Sequence, residues 1–131
     1  MRSVRSLREM PYIEVYDFAA NVEQRRAATQ EITDSLCAAY GISKDIVTLF
    51  FQRVEPDGYG HGGRFGAAAE AQRIFIKIHA YPRFDQMRRL AADAVTQAVV
   101  RAYGVPAEAI ALYFIERPPS QVAHAGVLAG D

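Results

Sequence analysis

The hydrophobic and polar positions of this chain fall twice into the same order: an apolar strand, a helix and a second apolar strand. Residues 12–18 and 74–78 are rich in β-branched and aromatic side chains, which is typical of strands. Each is followed by apolar residues at helical spacing, and then by a nearly continuous apolar run at 46–51 and at 109–115. The pattern therefore predicts one β-α-β unit in each half.

The two halves align with an offset of about 62 residues, which indicates an internal duplication. Acidic Glu23 and Asp85 open the two predicted helices, and Gly41 and Gly104 close them. This alignment places Arg73 at the second-unit position equivalent to Pro11.

Residues 57–70, which contain five glycines and three consecutive alanines, predict a hairpin and a linker between the halves. We expect a single domain over residues 11–131, made of the repeats 11–63 and 73–126. Residues 1–10 form an N-terminal extension, which is either an ordered arm or the product of a misassigned start codon.

Two such units joined in one sheet predict an α/β (α+β) fold, a four-stranded sheet with parallel pairing inside each unit and two helices on one face. The apolar runs at 46–51 and 109–115 are almost unbroken, which is typical of strands buried on both faces. Because two helices cover only one face of the sheet, the other face needs a partner. We therefore expect a homo-oligomer.

Composition narrows the possible partners. The chain has fifteen basic and fifteen acidic side chains, so no excess charge attracts nucleic acid. No apolar stretch approaches the roughly 18 residues of a membrane span, and no secretory signal is recognisable, which favours a soluble cytoplasmic protein. The single cysteine, Cys37, is expected to pack as a small hydrophobe. His61 and His79 lack partners at ligand spacing, so neither a metal nor another cofactor is expected.

The dipeptide of Met10 and Pro11 is the strongest candidate for chemistry. If translation starts at Met10 and the methionine is removed, Pro11 becomes a secondary amine with an unperturbed pKa of about 8, suited to act as a base. If the chain starts at Met1, the nitrogen of Pro11 is an amide without a basic lone pair. Acid–base chemistry at Pro11 therefore depends on the start site.

Keto–enol tautomerisation of a 2-oxo acid also needs a cation that holds the carboxylate. The planar guanidinium of Arg83 suits this role, although its position equally fits a solvated loop residue. Arg73 is a second possible anion contact. Tyr59, Tyr113 and His124 are candidate hydrogen-bond donors to an enolate, with packing or solvation as the alternative for each.

A β-α-β unit that opens with Met-Pro and ends in a Gly-aromatic-Gly-x-Gly-Gly hairpin, residues 58–63, resembles the tautomerase superfamily. The first half is similar to the short subunit of 4-oxalocrotonate tautomerase. The second half, with Tyr113 and Phe114 followed by Glu116 and Pro118, is similar to the cis-3-chloroacrylic acid dehalogenase group. The resemblance implies a homotrimer in which an amino-terminal proline acts as general base or acid on a small carboxylate.

The resemblance assigns roles residue by residue. Pro11 matches the catalytic proline, Arg83 a carboxylate-binding arginine and Tyr113 the dehalogenase tyrosine, so these three are the predicted catalytic residues. The predicted substrate-binding residues are Arg73, Tyr59, on the family's aromatic active-site position, and His124.

The departures from the family pattern bear on the reaction. Asn21 and Thr48 stand where the short tautomerase has arginines, and Leu36 replaces a helix histidine. Tyr81 lies near a second dehalogenase arginine, and His124 replaces the glutamate that activates water. These replacements weigh against hydration or dehalogenation.

The leading hypothesis is a tautomerase acting on a small 2-oxo or 2-hydroxydienoic acid, with Pro11 as base and Arg83 as anion holder. The alternative enzyme is a cis-3-chloroacrylate-type dehalogenase or hydratase, with Pro11 as acid and His124 assisting water. If Pro11 is not N-terminal, the protein is a catalytically silent homologue.

Overall fold

The computed structural model of the protein describes residues 11–69 and 71–131, and the predicted extension over residues 1–10 lies outside them. Two β-α-β units are present. The first consists of β1 (Tyr12–Asp17), α1 (Val22–Tyr40) and β2 (Thr48–Arg53), followed by the hairpin of β3 (Gly60–His61) and β4 (Arg64–Phe65). The second consists of β5 (Ile74–Ala80), α2 (Asp85–Tyr103) and β6 (Ile110–Glu116), followed by the hairpin of β7 (Ala123–His124) and β8 (Val127–Leu128).

The four long strands form one sheet in the order β2-β1-β5-β6. Pairing is parallel inside each unit, as predicted, and β1 pairs with β5 antiparallel where the units meet. The expected fold class is confirmed. The antiparallel junction means that the two units enter the sheet from opposite ends.

The core lies between one sheet face and the two helices. Ile13 and Val15 of β1, and every second residue of β5 from Ile74, are buried on this face. Small and branched residues of the helices pack against them, namely Ala28, Ile32, Leu36, Ala91, Val95, Ala98 and Val99. Among the described residues, no helix is long and apolar enough to span a membrane.

Both helices stop at the predicted glycines, which adopt the left-handed conformation with φ of 66° at Gly41 and 68° at Gly104. The starts differ between the helices. Asn21 caps α1 through a reciprocal pair of hydrogen bonds with Gln24, at 2.8 and 3.0 Å, whereas Phe84 at the start of α2 makes no side-chain cap.

The repeat offset is 63 residues, not 62. The helices Val22–Tyr40 and Asp85–Tyr103 have the same length of 19 residues and begin 63 positions apart. The alignment of Glu23 with Asp85 was wrong because Glu23 is the second residue of α1 whereas Asp85 is the first residue of α2. Pro11 therefore corresponds to Ile74, which is buried like Pro11, and not to Arg73, which is exposed.

Neither helix covers the opposite face of the sheet, which we call the open face. Tyr12, Phe50 and Tyr113 stand on it with 41, 55 and 58% of their surface exposed. Tyr12 stacks on His79 with ring centroids 4.1 Å apart and meets Phe50 edge-on at 6.1 Å. An aromatic surface of this kind is typical of an interface between protein chains.

Candidate active site

Pro11 lies at one end of the sheet, directly before β1. Its carbonyl oxygen accepts a hydrogen bond from the backbone nitrogen of Thr48 at 3.4 Å, and the proline is buried. The pairing of Tyr12 with His79 places Pro11 beside Ala80, at the end of β5. We call this edge the Pro11 end; β1 and β2 begin there, and β5 and β6 end there.

Arg83 follows β5 by three residues and lies at the Pro11 end. Its guanidinium carbon is 4.8 Å from the ring centroid of Tyr40, the last residue of α1. Its Nη1 donates to the carbonyl oxygens of Tyr81 and Pro82 at 3.0 and 3.4 Å. No carboxylate among the described residues lies within ion-pair distance of this guanidinium, so its charge is available to an anion.

Tyr40 adds a hydrogen-bonding group beneath Arg83. The side chain is buried, and its hydroxyl has no hydrogen-bond partner among the described residues. Burial raises the pKa of Tyr40, and the nearby charge of Arg83 opposes the increase, so the hydroxyl stays protonated at neutral pH. Because a buried hydroxyl without a partner costs about 1–3 kcal/mol, this group is poised for a ligand acceptor.

Glu116 and Arg88 hold the loop that carries Arg83. The backbone nitrogen of Arg83 donates to Glu116 Oε2 at 3.3 Å, and Arg88 donates to the carbonyl oxygen of Arg83. Arg88 Nη1 also lies 3.0 Å from Glu116 Oε1, and Arg88 pairs with Asp85 at the start of α2. Arg88 thereby neutralises the charge of Glu116, so the side chain of Arg83 is not paired with Glu116.

Tyr113 lies in the middle of β6 on the open face, paired with Lys77. It is three residues, or about 10 Å along the strand, from the Pro11 end. His124 lies on β7, in the hairpin that follows β6 after its exit at the Pro11 end. The Nε2 atom of His124 is buried and has no hydrogen-bond partner among the described residues.

Tyr59 and Arg73 lie at the opposite end of the sheet, where β1 ends and β5 begins, which we call the Arg73 end. The hydroxyl of Tyr59 donates to the carbonyl oxygen of Ala71 and accepts from the backbone nitrogen of Arg73 at 3.1 Å. Within one chain, the structure therefore brings Pro11 together with Arg83, and Tyr59 together with Arg73, but keeps the two pairs apart.

The Arg73 end also contains a buried charge network. Asp17, the last residue of β1, is fully buried. Arg25 contacts both of its oxygens, at 2.7 and 3.0 Å, and the hydroxyl of Tyr103 donates to it at 2.7 Å. Burial, followed by the hydrogen bond to Asp17, raises the pKa of Tyr103 far above its usual range. All three polar groups thus satisfy one another.

The sequence analysis did not single out Tyr40, or Asp17 with its partners Arg25 and Tyr103. The signal was present for the two tyrosines, because each precedes the glycine that ends its helix. The hydrogen-bond partners of these tyrosines are distant in sequence, and the internal repeat does not show which of them are present. No cluster of three or more potential metal ligands occurs among residues 11–69 and 71–131.

Cys37 is partly buried on α1, and burial raises the pKa of its thiol. A thiol with a raised pKa is a weak nucleophile at neutral pH.

Residues 11–68 match the family described as Tautomerase enzyme, whereas a comparison with curated proteins gives no match. Native fused 4-OT superposes with a TM-score of 0.85 at 18% identity, covering 91% of this chain and 96% of that one. A fused 4-OT solved as a symmetric trimer gives 0.80 at 16% identity, with the same coverage. N1, a member of the cis-3-chloroacrylic acid dehalogenase family, gives 0.73 at 20% identity, covering 89% of this chain and 82% of that one.

At these identities the solved structures show a common fold over nearly the whole chain, and the family match covers the first β-α-β unit with its hairpin. The resemblance read from the sequence is confirmed to this extent: residues 11–68 match the tautomerase family, and the chain as a whole has the fold of fused 4-OT.

Proposed function

We propose that the protein is a tautomerase that moves a proton within a small 2-oxo or 2-hydroxydienoic acid. The observation that carries this proposal is the Pro11 end, where Pro11 shares a sheet edge with an arginine that has no carboxylate partner among the described residues. The proposal requires a chain that begins at Pro11, since only then does the proline nitrogen have a basic lone pair.

In this reaction the nitrogen of Pro11 accepts the proton of the 2-hydroxyl group and returns it to a carbon of the conjugated chain. The electron pair of the broken O–H bond forms the carbonyl π bond, and the π electrons of the enol C=C bond shift along the chain to form the new C–H bond with the proton from Pro11. No oxidant or cofactor is consumed. Arg83 holds the substrate carboxylate, a contact worth about 1.5–3 kcal/mol for a charge-assisted hydrogen bond. The hydroxyl of Tyr40 donates to the same anion or to the enolate oxygen.

We further propose a homotrimer that buries the open face. The exposed aromatic residues of that face support it, and so does the symmetric trimer formed by a fused 4-OT of the same fold. In such an assembly Tyr113 lies at an interface, so it reaches a Pro11 end only in another protomer. A monomer in sedimentation at micromolar concentration would contradict the assembly.

The direct test uses two forms of the protein, one beginning at Pro11 and one beginning at Met1, each verified by intact mass. We expect the first to ketonise phenylenolpyruvate or 2-hydroxymuconate and the second to be inactive. In the first form, Pro11→Ala should lower kcat/KM by about 10²–10⁴-fold, because a positioned base contributes that much. An unchanged rate would rule out Pro11 as the base.

Arg83→Ala should lower kcat/KM by about 10- to 100-fold, mainly through KM, because it removes the carboxylate contact. The matched control is Arg89→Ala, which removes an exposed arginine on α2 and should leave both constants unchanged. If both substitutions lowered kcat/KM equally, Arg83 would act through the overall positive charge of the protein and not through a contact with the substrate.

The second candidate is a dehalogenase or hydratase of the cis-3-chloroacrylate type. The observation that favours it is the Nε2 atom of His124, on the hairpin after β6, which has no hydrogen-bond partner in the described part of the chain. Release of chloride from cis-3-chloroacrylate by the form that begins at Pro11, abolished by His124→Ala, would support this reaction.

A further inference from the structure

We propose a second ligand site at the Arg73 end, which binds a small planar carboxylate with an aromatic or conjugated body. A cleft of about 400 Å³ opens there, on the opposite end of the sheet from Pro11. Its walls include four aromatic rings and two cations, contributed by Tyr16, Phe18, Tyr59, Phe75, Arg73 and Lys77.

Tyr16, Phe75 and Lys77 stand on the open face. The proposal therefore requires that the proposed homotrimer, which buries this face around Tyr12, Phe50 and Tyr113, leave its Arg73 end accessible. It does not depend on the proposed tautomerase activity.

The aromatic wall is fixed before any ligand binds. The hydroxyl of Tyr59 is hydrogen-bonded on both sides, to Ala71 and Arg73, which sets the plane of its ring. The ring of Phe18 meets it edge-on with centroids 4.9 Å apart. A preformed aromatic wall lowers the entropy cost of binding a flat ligand.

The two cations supply the charge that a carboxylate needs. None of the described residues that line the cleft is acidic. The guanidinium of Arg73 makes no ion pair or side-chain hydrogen bond with the described residues, and the ammonium of Lys77 stands 5.1 Å from the ring centroid of Tyr16. A flat anion in this cleft would pair with both cations while its body stacks on the rings.

Glu14 is an acidic competitor for Lys77, because the two residues are paired across β1 and β5. Its carboxylate is occupied by other partners, because one oxygen lies 2.6 Å from His79 Nε2 and the other accepts from the hydroxyl of Tyr16 at 3.0 Å. The positive charge of Lys77 is therefore only partly neutralised.

The site is separate from the Pro11 end and has no proline base. The two ends are separated by the length of β1, about 17 Å for five residue steps. The residue equivalent to Pro11 is Ile74, which has no titratable group. We therefore infer that the cleft binds its ligand without converting it. Tyr59 and Arg73 remain ligand-binding residues, but their site is the cleft at the Arg73 end and not the Pro11 end.

The test is calorimetric titration of the 131-residue chain, in its own oligomeric state, with cinnamate and with the neutral analogue cinnamamide. Because this form begins at Met1, the measurement reports binding and is independent of proline catalysis. We expect cinnamate to bind at millimolar concentration or below. Arg73→Gln and Lys77→Gln should each weaken it about tenfold, since each removes a charge contact.

Arg89→Gln is the control and should change cinnamate affinity by less than twofold, whereas Arg83→Gln tests whether cinnamate binds at the Pro11 end instead. Thermal unfolding of each variant verifies that the exposed substitutions leave the fold intact. The proposal is overturned if cinnamate does not bind, if cinnamamide binds as tightly, or if Arg83→Gln abolishes binding while Arg73→Gln does not.

Discussion

The two ends of the sheet carry residues at equivalent positions of the repeat, but the polar side chains at these positions have different partners. With the offset of 63 residues, Tyr103 corresponds to Tyr40 and Arg25 to Arg88. At the Arg73 end, Asp17 joins its tyrosine and arginine into a satisfied network. At the Pro11 end the position of Asp17 is taken by Ala80, so Tyr40 has no acceptor among the described residues and Arg88 pairs with Glu116 instead.

One carboxylate therefore separates a complete buried network from an equivalent position where the tyrosine hydroxyl has no acceptor among the described residues. The difference extends to the loop after each first strand. The carbonyl oxygen of Ala20 accepts a hydrogen bond from Arg53 at 2.7 Å, whereas the equivalent residue, Arg83, contributes a cation of its own. The network indicates that Asp17 stabilises the fold, and the alanine at position 80 supports the ligand binding that we propose at the Pro11 end.

Asp17→Ala is expected to have the largest effect. It gives the Arg73 end the alanine that the equivalent position, Ala80, has at the Pro11 end. It leaves Arg25 and the hydroxyl of Tyr103 without their buried acceptor, which should lower the free energy of unfolding by about 3–5 kcal/mol. Urea denaturation at fixed protein concentration measures the loss. The control Asp93→Ala, at an exposed position of α2, should stay within about 0.5 kcal/mol of wild type.

Tyr103→Phe and Tyr40→Phe form a matched pair at equivalent positions. Tyr103→Phe removes a donor to a buried carboxylate and should cost about 1–3 kcal/mol of unfolding free energy. Tyr40→Phe removes a hydroxyl that has no partner in the described part of the chain, and should be neutral or slightly stabilising. Equal losses in urea denaturation would show that the two ends do not differ in hydrogen bonding.

Ala80→Asp makes the reciprocal change at the Pro11 end, because this side chain faces the helices as Asp17 does. The new carboxylate would compete with substrate for Arg83, so KM in the form beginning at Pro11 should increase about tenfold, with a smaller change in kcat. Ala80→Asn has nearly the same size without the charge and is the control. The same KM in both variants would show that charge at position 80 does not govern binding.

The smallest effect is expected in alkaline solution. The pKa of Tyr103 is raised by burial and by Asp17, so its folded-state pKa exceeds the unfolded value of 10.0. Its contribution to stability is complete below that value and declines as the pH increases above it. Between roughly pH 9 and pH 11, wild type should lose more unfolding free energy than Tyr103→Phe. Parallel curves would mean that Tyr103 is not protected in the folded state.

The fold was predictable because its signals are local. Apolar strands, helical spacing and the glycines at 41 and 104 each lie within a few residues of the element that they define. The one-residue error in the offset arose at a helix start, where Asn21 caps one helix and Phe84, which cannot cap, precedes the other. The first acidic residue was therefore a weaker guide to the start of each helix than the residue at the capping position.

The site was less predictable because it depends on which ends of the sheet meet. Arg83 and Pro11 share an end only because β1 and β5 are antiparallel, and the same pairing separates Tyr59 and Arg73 from them. The network of Asp17 joins residues up to 86 positions apart, a distance over which periodicity carries no information. The hydroxyl of Tyr40 has no acceptor among the described residues, because Ala80 stands at the position equivalent to Asp17. This relation is visible only in the three-dimensional structure.

The covalent link between the two units has a consequence for symmetry. If each unit were a separate and identical chain, every residue would occur at both ends, and a buried aspartate that stabilises one end would also fill the other. Fusion gives each end its own copy of the position, so Asp17 and Ala80 coexist in one molecule. The duplicated chain can thus complete a buried polar network at one end of the sheet and leave the equivalent tyrosine without an acceptor among the described residues at the other, a difference that an exact twofold axis forbids.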